Sequence, residues 1–343
     1  MNDTTMQSDP VRWLFIGESG LRSAYRVALW FAIVIPCTIA AAVIGELLQP
    51  VFSSVGIRRG EAFLMVGTIT YTPAILLTLV FGAFDKPRVT SAGLGGPVLR
   101  SLAEYTSGTA MGVGLVLLTL LAPATVGSVR MDALAPSWHW AMIPLWFVGL
   151  AIAAAWEEVL FRGYGFQWIC RATGNVIVYA VRPLFPLEPD VVAQWLGRAF
   201  WIALSSGVFA IMHAANPNAG ILSGINTGLA GIWLAVAVFR TRALWLACGL
   251  HLGWNFAQGP LLGLPISGLG SAESGMSIPS LWSTALTGPN WATGGSYGIE
   301  AGLPCTVVLF IAIALAALYK PRPLGQDAPV LRPGRIHANQ AAE

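Results

Sequence analysis

The sequence predicts an all-α protein, a polytopic membrane helix bundle of about eight transmembrane helices with both termini cytoplasmic. Three observations carry that prediction. Only 10% of the 343 residues are charged and 55% are hydrophobic, whereas a soluble domain carries about 25% charged residues. Apolar stretches near spanning length recur along the chain, and mean hydropathy is +0.67. The basic residues between those stretches fall overwhelmingly on one side.

The stretches lie at 24–49, 62–84, 104–126, 140–160, 200–216, 220–239, 244–260 and 302–319. A helix needs about 20 residues to cross roughly 30 Å of hydrocarbon. The fifth and seventh are short and carry polar groups, which places them inside the bundle, away from lipid. With the N-terminus inside, all of the 19 basic residues except Arg58, Arg59 and Arg130 lie on the cytoplasmic side, as the positive-inside rule requires. The expected organisation is a cytoplasmic N-terminal segment over 1–23, a membrane-embedded domain over 24–319 with its catalytic core at 140–260, and a disordered cytoplasmic tail over 320–343.

Two connections stand out by length. Residues 171–198 are broken by proline and carry Trp195, a composition that suits the inner interface. Residues 261–301 are rich in Gly, Ser and Pro and nearly uncharged, which reads as an ordered outer loop or lid. The N-terminal MNDTTMQSDPVRWLF is polar where a cleaved leader has its apolar core, so no leader is expected. Cys37, Cys170, Cys248 and Cys305 stand singly, as structural thiols do. The net charge of +3 contains no basic cluster, which excludes a nucleic-acid partner.

Ionisable groups inside a membrane are costly, so they mark function by default. The segment WEEVLFRGYGFQ, residues 156 to 167, places Glu157, Glu158 and Arg162 at the end of an uncharged run from Ala141 to Ala155. Glu158 and Arg162 are four residues apart, in the favourable order for an ion pair. Arg162 is thereby expected to anchor its helix end at the cytoplasmic interface. Glu157 points about 100° away and has no such partner, which suits a general base. His213, in FAIMH, and His251 and Asn255, in HLGWN, fall in other apolar stretches. Each alone is an ordinary buried residue; four costly groups on three helices need one shared explanation. Glu157 with His213 can activate water while His251 and Asn255 donate to an oxyanion. Glu157, His213 and His251 also match a two-histidine, one-carboxylate zinc set, although HExxH is absent. Because Glu157 lies within two turns of a basic inner loop, access from the cytoplasmic half is expected.

EEVLFR followed by Gly163, FAIMH and HLGWN resemble, in order, the EExxxR, FxxxH and HxxxN motifs of the CAAX-protease and bacteriocin-processing (CPBP, or Abi) family of intramembrane endopeptidases, which includes the type II CAAX prenyl endopeptidases. FRGYGFQ, NPNAG and GLAGIWLAVAVFRTRALWLACGLHLGWN continue the likeness over about residues 140–260. The resemblance implies that Glu157 activates water, that Glu158 and Arg162 support it, that His213 is the second-motif histidine, and that His251 and Asn255 form the oxyanion side. It leaves a zinc ion and a metal-free mechanism both open.

The expected function is therefore cleavage of a membrane-associated peptide or protein, prenylated CAAX-type tails included, by a multi-pass protein of the cell inner membrane. The lipid bilayer is its surroundings, and no feature of the sequence sets an oligomeric state. Two rivals remain at this stage. One is a membrane transporter with a buried Glu/His relay, against which the lack of a repeated half speaks. The other is a non-catalytic immunity-type binding protein.

Overall fold

The computed structural model describes residues 16–17, 20–21, 23–57, 59–84, 93–134, 137–164, 189–271, 274 and 276–320. Its helices are α1 (Ser23–Ser54), α2 (Arg59–Phe84), α3 (Val98–Thr125), α4 (Ser137–Arg162), α5 (Pro189–His213), α6 (Ile221–Thr241), α7 (Trp245–Phe256) and α8 (Leu303–Leu318). The helices α1 to α6 are each long and apolar enough to cross a membrane. Prolines 36, 50, 73, 123 and 144 sit inside them, as membrane helices tolerate. All eight predicted stretches are helical. At 12 and 16 residues, however, α7 and α8 fall short of the spanning length by themselves.

The centre of the bundle is α7, and every residue from Leu246 to Trp254 is buried. A helix apolar on all sides belongs in a core, and this one packs most extensively against α3. Glycine makes the contact possible. A Cβ on Gly108 would stand 2.9 Å from Leu250 N, and one on Gly112 would stand 2.7 Å from Trp254 N. Reciprocally, Cβ atoms on Gly249 and Gly253 would press on the backbones of Tyr105 and Thr109. Two small-xxx-small pairs thus interlock, the device by which membrane helices approach closely. Around that seam a cluster of α3, α6, α7 and α8 side chains closes, including Leu115, Trp233, Leu250 and Leu309.

Several predicted features shift. The fifth helix starts at Pro189 instead of 200, so the outer part of the predicted 171–198 loop is helical. Proline at a helix start loses no hydrogen bond, because its missing N–H would be unpaired there. The side chain of Trp195, residues 165–188 and the tail from 321 lie outside the described residues. Nor is α5 wholly interior, since Phe200, Ile211 and Met212 are exposed. Arg100, predicted in a loop, is buried on α3 and pairs with Glu104 at 2.7 Å.

The all-α prediction needs one amendment. Strands β1 (Val129–Leu134) and β2 (Trp282–Leu286) pair antiparallel, with a bulge between Met131 and Ala133. They tie the α3–α4 connection to the long segment before α8. That segment is ordered, as expected, and α7 runs into it through a π-helical turn over Ala257–Leu261. Pro260 has no N–H to give, and the turn closes instead through Leu262 N–H donating to the Ala257 carbonyl at 3.1 Å.

Candidate active site

The second half of α4 turns Glu157, Glu158 and Arg162 toward α7. Glu158 Oε1 accepts from Arg162 Nη1 at 2.6 Å and from His251 Nδ1 at 3.0 Å. Glu158 and Arg162 are fully buried, so the expectation that Arg162 anchors the helix at an interface is overturned. Its guanidinium faces inward, lies 4.9 Å from the Phe209 ring centroid and reaches the Gly231 carbonyl at 3.4 Å. A buried ion pair is retained only when its remaining contacts are good, and here it also holds a third group. With Nδ1–H donating to Glu158, the His251 ring is oriented and its Nε2 is presented to Glu157 Oε2, 3.7 Å away. That separation is too long for a hydrogen bond.

Glu157 differs from its neighbour in the way the sequence indicated. Its side chain keeps 22% of its surface exposed, and Oε2 has no hydrogen-bond partner among the described residues. It opens into a cavity of about 400 Å³ that is also lined by His213, His251 and Asn255. The structure therefore brings Glu157, both histidines and the asparagine to one space, with Glu158 and Arg162 directly behind them.

Phe209 explains how the second motif joins the other two. Its ring meets Phe161 edge-on at 5.1 Å, lies 4.3 Å from His213 and 6.2 Å from His251, and carries the Arg162 guanidinium on its face. His213 Nδ1 lies 2.8 Å from the Phe209 carbonyl. In the sequence this phenylalanine is only the first residue of FAIMH, because no spacing within one helix shows what the ring touches on two others.

The proposed zinc set fares differently. Among the described residues, no three His, Cys, Asp or Glu side chains stand together as a metal-binding group. Glu158 takes Nδ1 of His251 and the Phe209 carbonyl faces Nδ1 of His213, so Nε2 is the nitrogen each ring keeps for other partners.

The cavity lining comes from the early part of α2 (Phe63), α6 (Asn226) and α8 (Cys305), from the last turns of α5 and α7 (His213, Asn255), from the segment after α7 (Ser267, Ile278, Glu300), and from α4 between Trp146 and Phe161.

Three further cavity residues escaped the sequence reading. Tyr71 on α2 stacks on Trp156 at 4.5 Å. Asn216 donates to the Ser267 carbonyl at 3.0 Å, so NPNAG docks on the segment after α7. Glu300 gathers four donors described below. Only Glu300 left a signal, as one of two carboxylates, with Glu273, in a nearly uncharged stretch.

Comparison with known proteins agrees with the geometry in one place. Residues 138–257 match the family model described as Type II CAAX prenyl endopeptidase Rce1-like. No curated protein and no solved structure matches the chain. The matched region runs from the start of α4 through α7 and holds all three motifs, so the core of this integral membrane protein, residues 138–257, is similar to the Rce1-like type II CAAX prenyl endopeptidases.

Proposed function

We propose that the chain is an intramembrane endopeptidase in which Glu157 activates the attacking water. The observation that carries this reading is the contrast between two adjacent carboxylates. Glu158 is fully buried with its Oε1 engaged twice, whereas Glu157 keeps part of its surface exposed, accepts no hydrogen bond at Oε2 among the described residues, and lines a cavity shared with His213, His251 and Asn255. In the proposed reaction Glu157 takes a proton from water, and the resulting hydroxide attacks the scissile carbonyl. His251, doubly protonated with its Nδ1–H kept on Glu158 and its Nε2–H free, donates with Asn255 to the oxyanion of the tetrahedral intermediate. Collapse breaks the C–N bond, and the proton held on Glu157 passes to the leaving amine. His213, at the end of α5, borders the same space and helps hold the water. No step is routed through a metal.

The substrate class proposed is a membrane-associated peptide, with prenylated CAAX-type tails the form the family description names. The aromatic wall of the cavity, with Phe63, Trp146 and Trp156, suits an apolar anchor beside the peptide. We further propose that all eight helices lie in the cell inner membrane with both termini cytoplasmic, as the loop charges favour.

The test is cleavage of fluorogenic peptides, with and without a prenyl anchor, by the purified protein and its Glu157→Gln and His251→Ala variants, each with chelator and with added zinc. Turnover lost in both variants and indifferent to chelator is the expected result. Turnover retained by Glu157→Gln would overturn the assignment of the base.

A further inference from the structure

The carboxylate of Glu300 lies outside the family-matching region and outside the three motifs, yet it lines the same cavity as Glu157. Its Oε1 accepts from Trp254 Nε1 at 2.7 Å and from Gln258 Nε2 at 3.2 Å. Its Oε2 accepts from the Ser267 backbone N–H and from the Ser267 hydroxyl, both at 2.7 Å. One oxygen therefore grips the end of α7 and the other grips the strap that follows it. Trp254 is next to Asn255 in the chain, and Gln258 is three residues beyond it. The strap residues on the far side, Ile266, Ser267 and Leu269, form cavity wall.

The attachment is reinforced where it must resist bending. The backbone carbonyl of Glu300 accepts from Asn226 Nδ2 at 2.7 Å, which fixes the carboxylate to α6. Gly268 has φ +84 and packs against the Pro217 carbonyl, and its N–H donates to the Tyr297 carbonyl at 2.9 Å. A side chain at Gly268 would lift the strap from the α5–α6 turn. The strap itself is short of regular structure, with one isolated bridge between Ile266 and Leu269. A segment so poor in ladder bonds opens readily unless side chains hold it.

We infer that Glu300 is a positioning residue, a two-sided latch that closes the strap 262–271 over the catalytic cavity and holds the Asn255 end of α7 in register with it. The functional part of this inference rests on the peptidase reading above, while the latch itself does not. A carboxylate suits the task because each oxygen accepts two donors at once and ionised acceptors make the stronger bonds. Glutamine at this position would present an NH2 group to one pair of donors and so lose one side of the grip.

The experiment uses the full chain in detergent or nanodiscs and two native thiols. Cys305 lines the cavity and is 1% exposed, while Cys248 is equally buried but is not part of the cavity lining. Alkylation by N-ethylmaleimide is followed at each thiol by peptide mass spectrometry, with the SDS-denatured protein as the fast reference. In Glu300→Ala, which removes the acceptor of all four bonds, Cys305 should react at least about tenfold faster than in wild type, the change expected from losing even one charge-assisted bond, with Cys248 still protected. Ser267→Ala, which removes a single hydroxyl on the strap side, should open Cys305 less and raise KM for a cleaved peptide while leaving kcat near wild type. If Glu300→Ala exposes Cys248 in parallel, the milder Ser267→Ala decides: faster Cys305 alone supports the latch. Equal protection of Cys305 in wild type and both variants overturns it. Because the thiol readout needs no turnover, a failure of the latch and a failure of the peptidase reading give different results.

Discussion

Replacing Gly253 by alanine tests whether the seam between α3 and α7 sets the geometry of the site. The new Cβ would lie 2.8 Å from the Thr109 carbonyl carbon and 2.9 Å from Thr109 Cα, both backbone atoms that no rotamer change can move. The Thr109 carbonyl oxygen lies closer still, so relief to ordinary contact requires the helices to separate or turn by about 1 Å. Overpacking of this kind costs about 1–3 kcal/mol, which the bundle should survive. His251 is two residues away on the same helix, and its Nδ1 stands 3.0 Å from Glu158 Oε1. A shift of about 1 Å exceeds the tolerance of a hydrogen bond and misplaces the imidazole against both glutamates. Misplacement on this scale costs about 10²-fold in rate, so Gly253→Ala should lower kcat roughly 10- to 100-fold with a thermal midpoint only a few degrees down. Gly114→Ala is the control, because a Cβ there meets nothing within 4 Å. Peptide cleavage and thermal unfolding of both variants are measured side by side. A Gly253→Ala protein as active as Gly114→Ala would refute the reasoning, since the close approach would then not be positioning α7.

Three other outcomes follow from the same contacts. Glu157→Gln should lower kcat by about 10²- to 10⁴-fold, the worth of a general base, with the thermal midpoint unchanged because Oε2 makes no hydrogen bond among the described residues. Arg162→Met leaves Glu158 buried beside no cation and should destabilise by about 3–5 kcal/mol, read in thermal unfolding, and adding Glu158→Gln should recover a large part of that loss. Tyr297, in the segment before α8, has its phenol pushed up to about 12, by burial first and by the Glu300 charge second. A folded value above the unfolded one means that its contribution is full below about pH 10 and is lost as pH rises through about 12, so alkaline unfolding should steepen in that window. Tyr297→Phe should flatten it; an identical alkaline limb in the variant would show that another group titrates there.

The fold was legible wherever a cost had to be met locally. Helix after helix announced itself because about twenty apolar residues have no other reason to be consecutive. Glu157, Glu158 and Arg162 were legible because charge in such a run is expensive, and four-residue spacing alone separated the paired glutamate from the free one. What stayed hidden was contact between distant segments. Gly108, Gly112, Gly249 and Gly253 show their spacing in the sequence, but nothing there says that the two pairs face each other. Phe209 looks like any core phenylalanine until its ring is found against His213, His251 and Arg162. The start of α5 at Pro189 and the β1–β2 ladder were missed because proline and short alternation read as loop when the partner is unknown.

A second buried ion pair shows why the glutamate–arginine spacing does not by itself indicate chemistry. Arg100 and Glu104 on α3 are also four residues apart, bonded at 2.7 Å and nearly inaccessible. Arg100 uses its other nitrogen to satisfy the Thr241 carbonyl at 2.8 Å, where α6 ends and its last carbonyls lack helical partners. That pair fastens one helix to the end of another, and neither member borders the cavity. The Glu158–Arg162 pair resembles it in burial, spacing and bond length, and differs in two respects. Its carboxylate also holds His251, and the residue beside it is a carboxylate with no cation of its own. Removing Arg100 and removing Arg162 should therefore both destabilise the bundle, while only the second should change the rate of the molecules that remain folded. In the proposed reaction the chemistry resides in Glu157, and the ion pair matters to it because Glu158 Oε1, held by Arg162, keeps the His251 ring turned toward that carboxylate.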